Sequence, residues 1–259
     1  MIKLFLLQLV AHTLSDFFFQ NDAMCQGKKR DGFRSFLSPH LFAHVIITLL
    51  LSLLLASPWG FWFPAFIVAG THYVIDGLKN ALRKERIHLF FLDQILHVVI
   101  VAAACILSFE RMEPCQWAVG LMNTMDQHGL SVLYQDSTIA IFIGILWCLK
   151  PANIIIKKVL SYAKVNVPTE EPSKGTEDSL ESDELPNAGK IIGNTERLMT
   201  LTFVLTGDYE VVGFIMAAKS ILRYSESKTA KSEYVLIGTL LSYAIAIFLG
   251  LSIKHLFRI

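Results

Sequence analysis

Charge is the first thing this chain has little of. Asp, Glu, Lys and Arg make up 17 % of its 259 residues, where a soluble domain carries about 25 %. Apolar residues take their place at 53 %, and they gather in runs of roughly 18–22, the length that crosses about 30 Å of hydrocarbon. That distribution excludes an ordinary soluble fold. Cysteine is sparse as well. Cys25, Cys105, Cys115 and Cys148 stand apart with no CxxC pair, which argues against a disulfide framework or a zinc ribbon. A net charge of +1 gives no basic excess of the kind that marks a nucleic-acid partner. A Walker loop, GxSxG and a GxGxxG opening a helix are all missing. HExxH is missing too: His40-Leu-Phe-Ala-His44 has its spacing but no glutamate, which weakens a zinc-protease reading.

What is present is an all-α pattern, a polytopic membrane helix bundle. Candidate spans cover about 2–20, 38–57, 59–80, 88–109, 137–157 and 234–254, so about six are expected. The first run, MIKLFLLQLVAHTLSDFFFQ, begins like a signal peptide. It has no small-residue cleavage site and it carries His12 and Asp16, so it reads as a mature helix. Basic residues collect in alternate loops: Lys28, Lys29, Arg30 and Arg34; then Lys79, Arg83, Lys84 and Arg86; then Lys157, Lys158 and Lys164. The positive-inside rule makes that side cytoplasmic and puts the N-terminus outside. Residues 110–136 fall outside, with Arg111 against Glu110, Glu113, Asp126 and Asp136.

Three parts follow: a bundle over 1–160, a linker over 161–190 and a C-terminal part over 191–259. Over 164–190 the linker is acidic, rich in Pro and Ser and without aromatics, too poor in apolar surface to repay ordering, so it is expected to be disordered. Beyond it, RLMTLTFVLTGDYEVVGFIMAAKSILR (197–223) is interrupted midway by TGDYE, and basic residues follow it. A re-entrant or interfacial helical hairpin turning at Gly207–Asp208 keeps both of its ends on the cytoplasmic side. In the last span Gly238, Ser242, Ala246 and Gly250 recur every four residues, a small-residue stripe for close helix packing.

The chemistry lies in the first four spans. Each carries two metal-ligand side chains four residues apart: His12 and Asp16, His40 and His44, His72 and Asp76, Asp93 and His97. Residues at i and i+4 share a helix face. With the alternating topology the pairs come late, early, late and early in their helices, which places all four in one layer at the cytoplasmic end. Three carboxylates and five imidazoles at one depth need compensation. A divalent metal, zinc among the candidates, would supply it as one ion or two. Helix bundles build such centres from facing side chains. Interhelical hydrogen bonding and a proton or ion path are the other uses of such groups. The outer halves of these spans are nearly bare of ionisable residues, which counts against a continuous path. Gln20 and Gln94 could hydrogen-bond within the layer, and Thr71 and Tyr73 add hydroxyls near it.

HxxxDFxxQ (His12 to Gln20), HxxxH (His40 to His44), HxxxDxxK (His72 to Lys79) and DQxxH (Asp93 to His97) together resemble the bacterial membrane-protein family numbered 3307 among domains of unknown function. The resemblance covers about residues 1–110. GKIIGNTERL, AAKSILRY and EYVLIGTLLSY are similar to stretches of its longer members. It implies a multi-pass protein of the bacterial inner membrane and carries no activity with it. A weaker likeness, of pattern only, runs to YdjM-type membrane-bound metal-dependent hydrolases.

The expected function is a metal-dependent hydrolase facing the cytoplasm, acting on a lipid or lipid-linked phosphate. His12, Asp16, His40, His44, His72, Asp76, Asp93 and His97 would form the metal layer. One of Asp16, Asp76 and Asp93 would be the general base, and Lys79 and Arg83 would hold a phosphate. Two alternatives stay open: a proton or ion pathway or transporter component, and a non-catalytic membrane scaffold that uses the linker and hairpin to hold a partner. The scaffold requires no metal and tolerates alanine at the His and Asp positions.

Overall fold

A computed structural model describes residues 1–28, 32–82, 86–108, 113–163, 188–224 and 230–259. Arg83, its neighbour Lys84, the first-loop residues Lys29 and Arg30, and positions 164–187 of the acidic linker lie outside the described residues. The chain is all-α and divides into two compact units, Met1–Ile143 and Gly144–Ile259.

In the first unit α1 (Ile2–Thr13) runs straight into a π-helical turn, Leu14–Phe19, and ends at Gln20 in an extended conformation. A short α2 (Asp22–Lys28) and a 3₁₀ turn over Gly32–Leu37 lead to α3 (Pro39–Ala56). Pro39 suits that start: its fixed φ fits the first turn, where its missing N–H costs no helical bond. Gly60, with φ +77, turns the chain into α4 (Trp62–Ala81), and α5 (Ile87–Ser108) follows. Helices α1, α3, α4 and α5 close into a ring, each touching two of the others.

Helix α3 explains how this ring sits in its solvent. Leu41, His44, Thr48, Ser52 and Ala56 are buried, whereas Phe42, Ile46, Leu50 and Leu54 are exposed. Polar groups therefore line the inside and aliphatic stripes cover the outside, the reverse of a water-soluble helix and the arrangement a bilayer rewards. One end of the ring is packed with Leu4, Ala56, Phe61, Ala65, Val68, Val101 and Cys105. The other end holds the charged side chains.

Among the described residues four helical stretches are long and apolar enough to cross a membrane: Ile2–Phe19, Pro39–Trp59, Ile87–Ser108 and Leu236–Phe257. A fifth forms if α7 (Asp136–Leu149) and α8 (Pro151–Tyr162), bent by 42°, are one broken span. The sixth expected span, 59–80, is the 20-residue α4. Its second half carries Thr71, His72, Asp76, Lys79 and Asn80, and these dilute its hydropathy. Helix α6 (Gln116–Gln127) is too short to cross.

In the second unit α9 (Ala188–Thr206) and α10 (Tyr209–Tyr224) form a helical hairpin, which turns at Gly207–Asp208 as the sequence predicts. Gly207 has φ +91, and the N–H groups of Gly207 and Asp208 both return to the Phe203 carbonyl, a glycine-dependent helix stop. Lys219 bonds to Glu196 across the two arms. Helix α11 (Ala230–Phe257) packs along α9 and α8. The small stripe serves that packing: a Cβ at Gly250 would lie 2.6 Å from Val204 Cγ1.

Arg197 pins the broken span. Its Nε donates to the Cys148 carbonyl at 2.7 Å, Nη1 to Ser242 at 2.8 Å, and Nη2 to Asn153 and Asn194 at 2.6 and 2.7 Å. Asn153 Nδ2 donates to the Leu149 carbonyl at 2.5 Å. The bend at Pro151 disturbs the carbonyls of the preceding turn, and these two side chains satisfy them.

Candidate metal centre

The helix pairing converts the i, i+4 pattern into a cluster. His12 and Asp16 come from α1 and its π turn, His44 from α3, His72 and Asp76 from α4, and Asp93 and His97 from α5. The π turn widens the helix just where Asp16 departs from it, a distortion common at functional sites. All seven side chains are buried, each keeping less than a tenth of its surface.

Asp16 Oδ1 lies 3.4 Å from His44 Nε2 and 3.4 Å from His72 Nε2, and those two nitrogens are 2.9 Å apart. His12 Nδ1 is 3.7 Å from the same oxygen. Ligand atoms about 2.0–2.1 Å from a zinc ion, tetrahedrally placed, are separated by about 3.3 Å. The Asp16–His44–His72 triangle thus has the size of one face of such a shell. On the other side His97 Nε2 sits 3.7 Å from Asp76 Oδ1 and 3.6 Å from Asp93 Oδ1. The rings of His72 and His97 stack at 4.0 Å and join the two halves.

Several of these atoms have no hydrogen-bond partner among the described residues: His12 Nε2, Asp16 Oδ1, His44 Nδ1, Asp93 Oδ1 and His97 Nε2. Buried polar atoms are nearly always paired. Five that are not, concentrated among ligand-type groups, mark a place able to hold a metal ion. Three groupings offer one, each with its ligand atoms within 4.8 Å of one another: His12–Asp16–His72, His44–His72–Asp76 and Asp76–Asp93–His97.

His40 does not join the cluster in any of these contacts. It stands in the first turn of α3 with its ring over Gly27, where an added Cβ would come within 2.1 Å of the ring. Lys79 bonds to Asp93 at 2.5 Å. Gln94 donates to Asp16 at 3.3 Å and to Asp93 at 3.2 Å. Thr71 is spent on carbonyls of its own helix, and Tyr73 donates to the Phe36 carbonyl at 2.6 Å.

Sequence reasoning missed Lys28. It is fully buried and its ammonium reaches Asp76 Oδ2 at 2.7 Å. In the sequence it is one basic residue of the run Lys28-Lys29-Arg30, and nothing there sets it apart from its neighbours. Also unforeseen is a file of neutral polar groups running deeper into the bundle. Ser15 meets Thr48 at 2.5 Å, and Ser52 donates to Gln8 at 2.8 Å. A cavity with room for about one water lies beside them, lined by Gln8, His12, Thr48, Ser52, His72 and His97 among others.

A family model described as "Protein of unknown function (DUF3307)" matches residues 4–125, the stretch that contains every member of the cluster. No curated protein and no solved structure matches the chain, so the YdjM likeness stays a likeness of residue pattern.

Proposed function

We propose, from the premise that residues 4–125 are a DUF3307 domain, that this chain is a membrane-embedded, metal-dependent hydrolase of lipid or lipid-linked phosphate substrates. The observation that carries the reading is the triangle of Asp16 Oδ1, His44 Nε2 and His72 Nε2, metal-sized and left partly unpaired. Asp16, His44 and His72 would hold the ion, with His12 beside them. A bound divalent ion supplies a water acidic enough to attack at neutral pH and polarises a phosphoryl or acyl oxygen.

The chain's own groups do the rest. Asp93 and Asp76, both facing His97, are placed to accept a proton. Lys79, with 36 % of its side chain exposed, is the basic group of the cluster that substrate meets first, and Arg83 follows it four residues later. The cluster's position at one end of the ring matches headgroup depth and favours an amphipathic substrate. In this proposal that end faces the cytoplasm from a bacterial inner membrane, with the N-terminus outside; the basic residues of alternate loops support the orientation.

The test is elemental mass spectrometry on detergent-purified protein, followed by a hydrolysis screen over phospholipids and lipid phosphates. One or two zinc, manganese or iron ions per chain, lost together with activity in Asp16→Asn and His72→Ala, is the expected result. A folded preparation that takes up no divalent ion sinks the reading. A proton pathway is the second reading, favoured by the Gln8–Ser52 and Ser15–Thr48 file. It requires proton flux in proteoliposomes that Gln8→Leu abolishes.

A further inference from the structure

The two halves of the cluster differ in what already neutralises them. Asp16 has imidazoles and the Gln94 amide around it, and among the described residues no ammonium or guanidinium pairs with it. Asp76 and Asp93 are each given a cation by the chain: Lys28 at 2.7 Å from Asp76 Oδ2, and Lys79 at 2.5 Å from Asp93 Oδ2. The remaining oxygen of each carboxylate faces His97 Nε2. Two negative charges therefore meet two positive charges, and the oxygen that each carboxylate leaves over stands 3.6–3.7 Å from His97 Nε2, too far for a hydrogen bond.

A divalent ion entering there would have to expel both lysines or stand beside them. Lys28 is poorly placed to leave. It ends α2, and the segment that follows is tied down: Ser35 donates to the Gly77 carbonyl at 3.0 Å, Ser38 to the Gly27 carbonyl at 2.8 Å, and Tyr73 to Phe36. Around Asp16 no such obstacle exists, and one carboxylate with neutral imidazoles is a donor set that suits a single zinc-like ion.

Resting on the metal-centre reading above, we infer that the cluster is built for one divalent ion, held at Asp16, His44 and His72, and that Lys28 and Lys79 fill as fixed ammonium groups the place of a second. Lys28 and Lys79 are then positioning residues. They hold Asp76 and Asp93 against His97, whose ring in turn stacks on the ligand His72.

Metal-stripped protein in detergent, titrated with cobalt(II) and followed by its visible absorption, gives the count without any substitution. The expected end point is one equivalent with a single tetrahedral spectrum. Asp16→Asn should lose that spectrum, Asp93→Asn should keep it, and the Lys28→Met/Lys79→Met double variant should take up about two equivalents. A wild-type end point at two equivalents, falling to one in Asp93→Asn, overturns the inference and leaves the metal centre standing. So does a single equivalent that survives Asp16→Asn and vanishes in Asp93→Asn. Wild-type protein that binds no cobalt at all removes the metal centre and this inference together.

Discussion

Arg197 in the C-terminal unit and Asp16 in the N-terminal unit are both buried charges on apolar helices, and their surroundings are opposite in kind. Arg197 donates to four acceptors drawn from α7, α8, α9 and α11, all of them neutral. Asp16 keeps an oxygen with no donor among the described residues, in a group where His12 Nε2, His44 Nδ1 and His97 Nε2 are unpaired as well. A matched network rigidifies what it touches, and a half-matched one costs stability unless something arrives to complete it. The first is architecture. The second is a site that holds its polar atoms in reserve for a ligand.

This contrast can be broken by experiment, and the largest effect is expected at Arg197. Replacing it with alanine leaves the buried Cys148 carbonyl and Ser242 hydroxyl without that donor, at about 1–3 kcal/mol for each buried group left unsatisfied. Equilibrium unfolding in mixed micelles should show it, while Asp16→Asn in metal-free protein should be neutral or slightly stabilising. An Asp16→Asn loss as large as that of Arg197→Ala would erase the distinction.

Next in size is the metal itself. Zinc at about 100 times its dissociation constant should stabilise the wild type by about 2.7 kcal/mol, a chelator should reverse the gain, and Asp16→Asn should show none. A melting scan with and without zinc reads all three.

Smaller effects test the packing of the second unit alone. Gly250→Val drives a side chain into Val204 and should cost about 1–3 kcal/mol with metal uptake unchanged. Gly207→Ala forces an L-residue to φ +91 and should cost about 1–2 kcal/mol, seen as faster proteolysis near the turn.

Much of this was legible in the sequence because both membrane helices and shared faces are periodic. Runs of about twenty apolar residues gave four of the six expected spans among the described residues, with 137–157 a bent helix pair and 59–80 a helix diluted by polar side chains, and spacing of four gave the pairs that meet in the cluster. TGDYE gave the hairpin turn, since Gly207 followed by the charged Asp208 and Glu210 interrupts the apolar run. The same rule overshot at His40: its spacing equals that of the other pairs, but it lies in the first turn of α3, where α2 covers it. The π turn was invisible, because one extra residue in a turn leaves no mark on composition. Lys28 and Arg197 were hidden for another reason. Each acts across a long separation, 48 and up to 49 residues, and in the sequence a basic residue looks the same whether it faces water or a buried partner.

The bend at Pro151 carries a consequence for how the protein is made. The carbonyls of Cys148 and Leu149 are exposed as soon as α7 and α8 leave the ribosome, but the arginine that satisfies Cys148 comes 49 residues later. At about 5–20 residues per second that interval is about 2–10 s. An isolated α7–α8 segment would hold an unpaid polar group in the bilayer throughout, so its membrane integration is expected to be complete only once α9 has been synthesised. A ribosome stalled before Arg197 should leave Cys148 open to a water-borne maleimide, and one stalled after α9 should leave it protected.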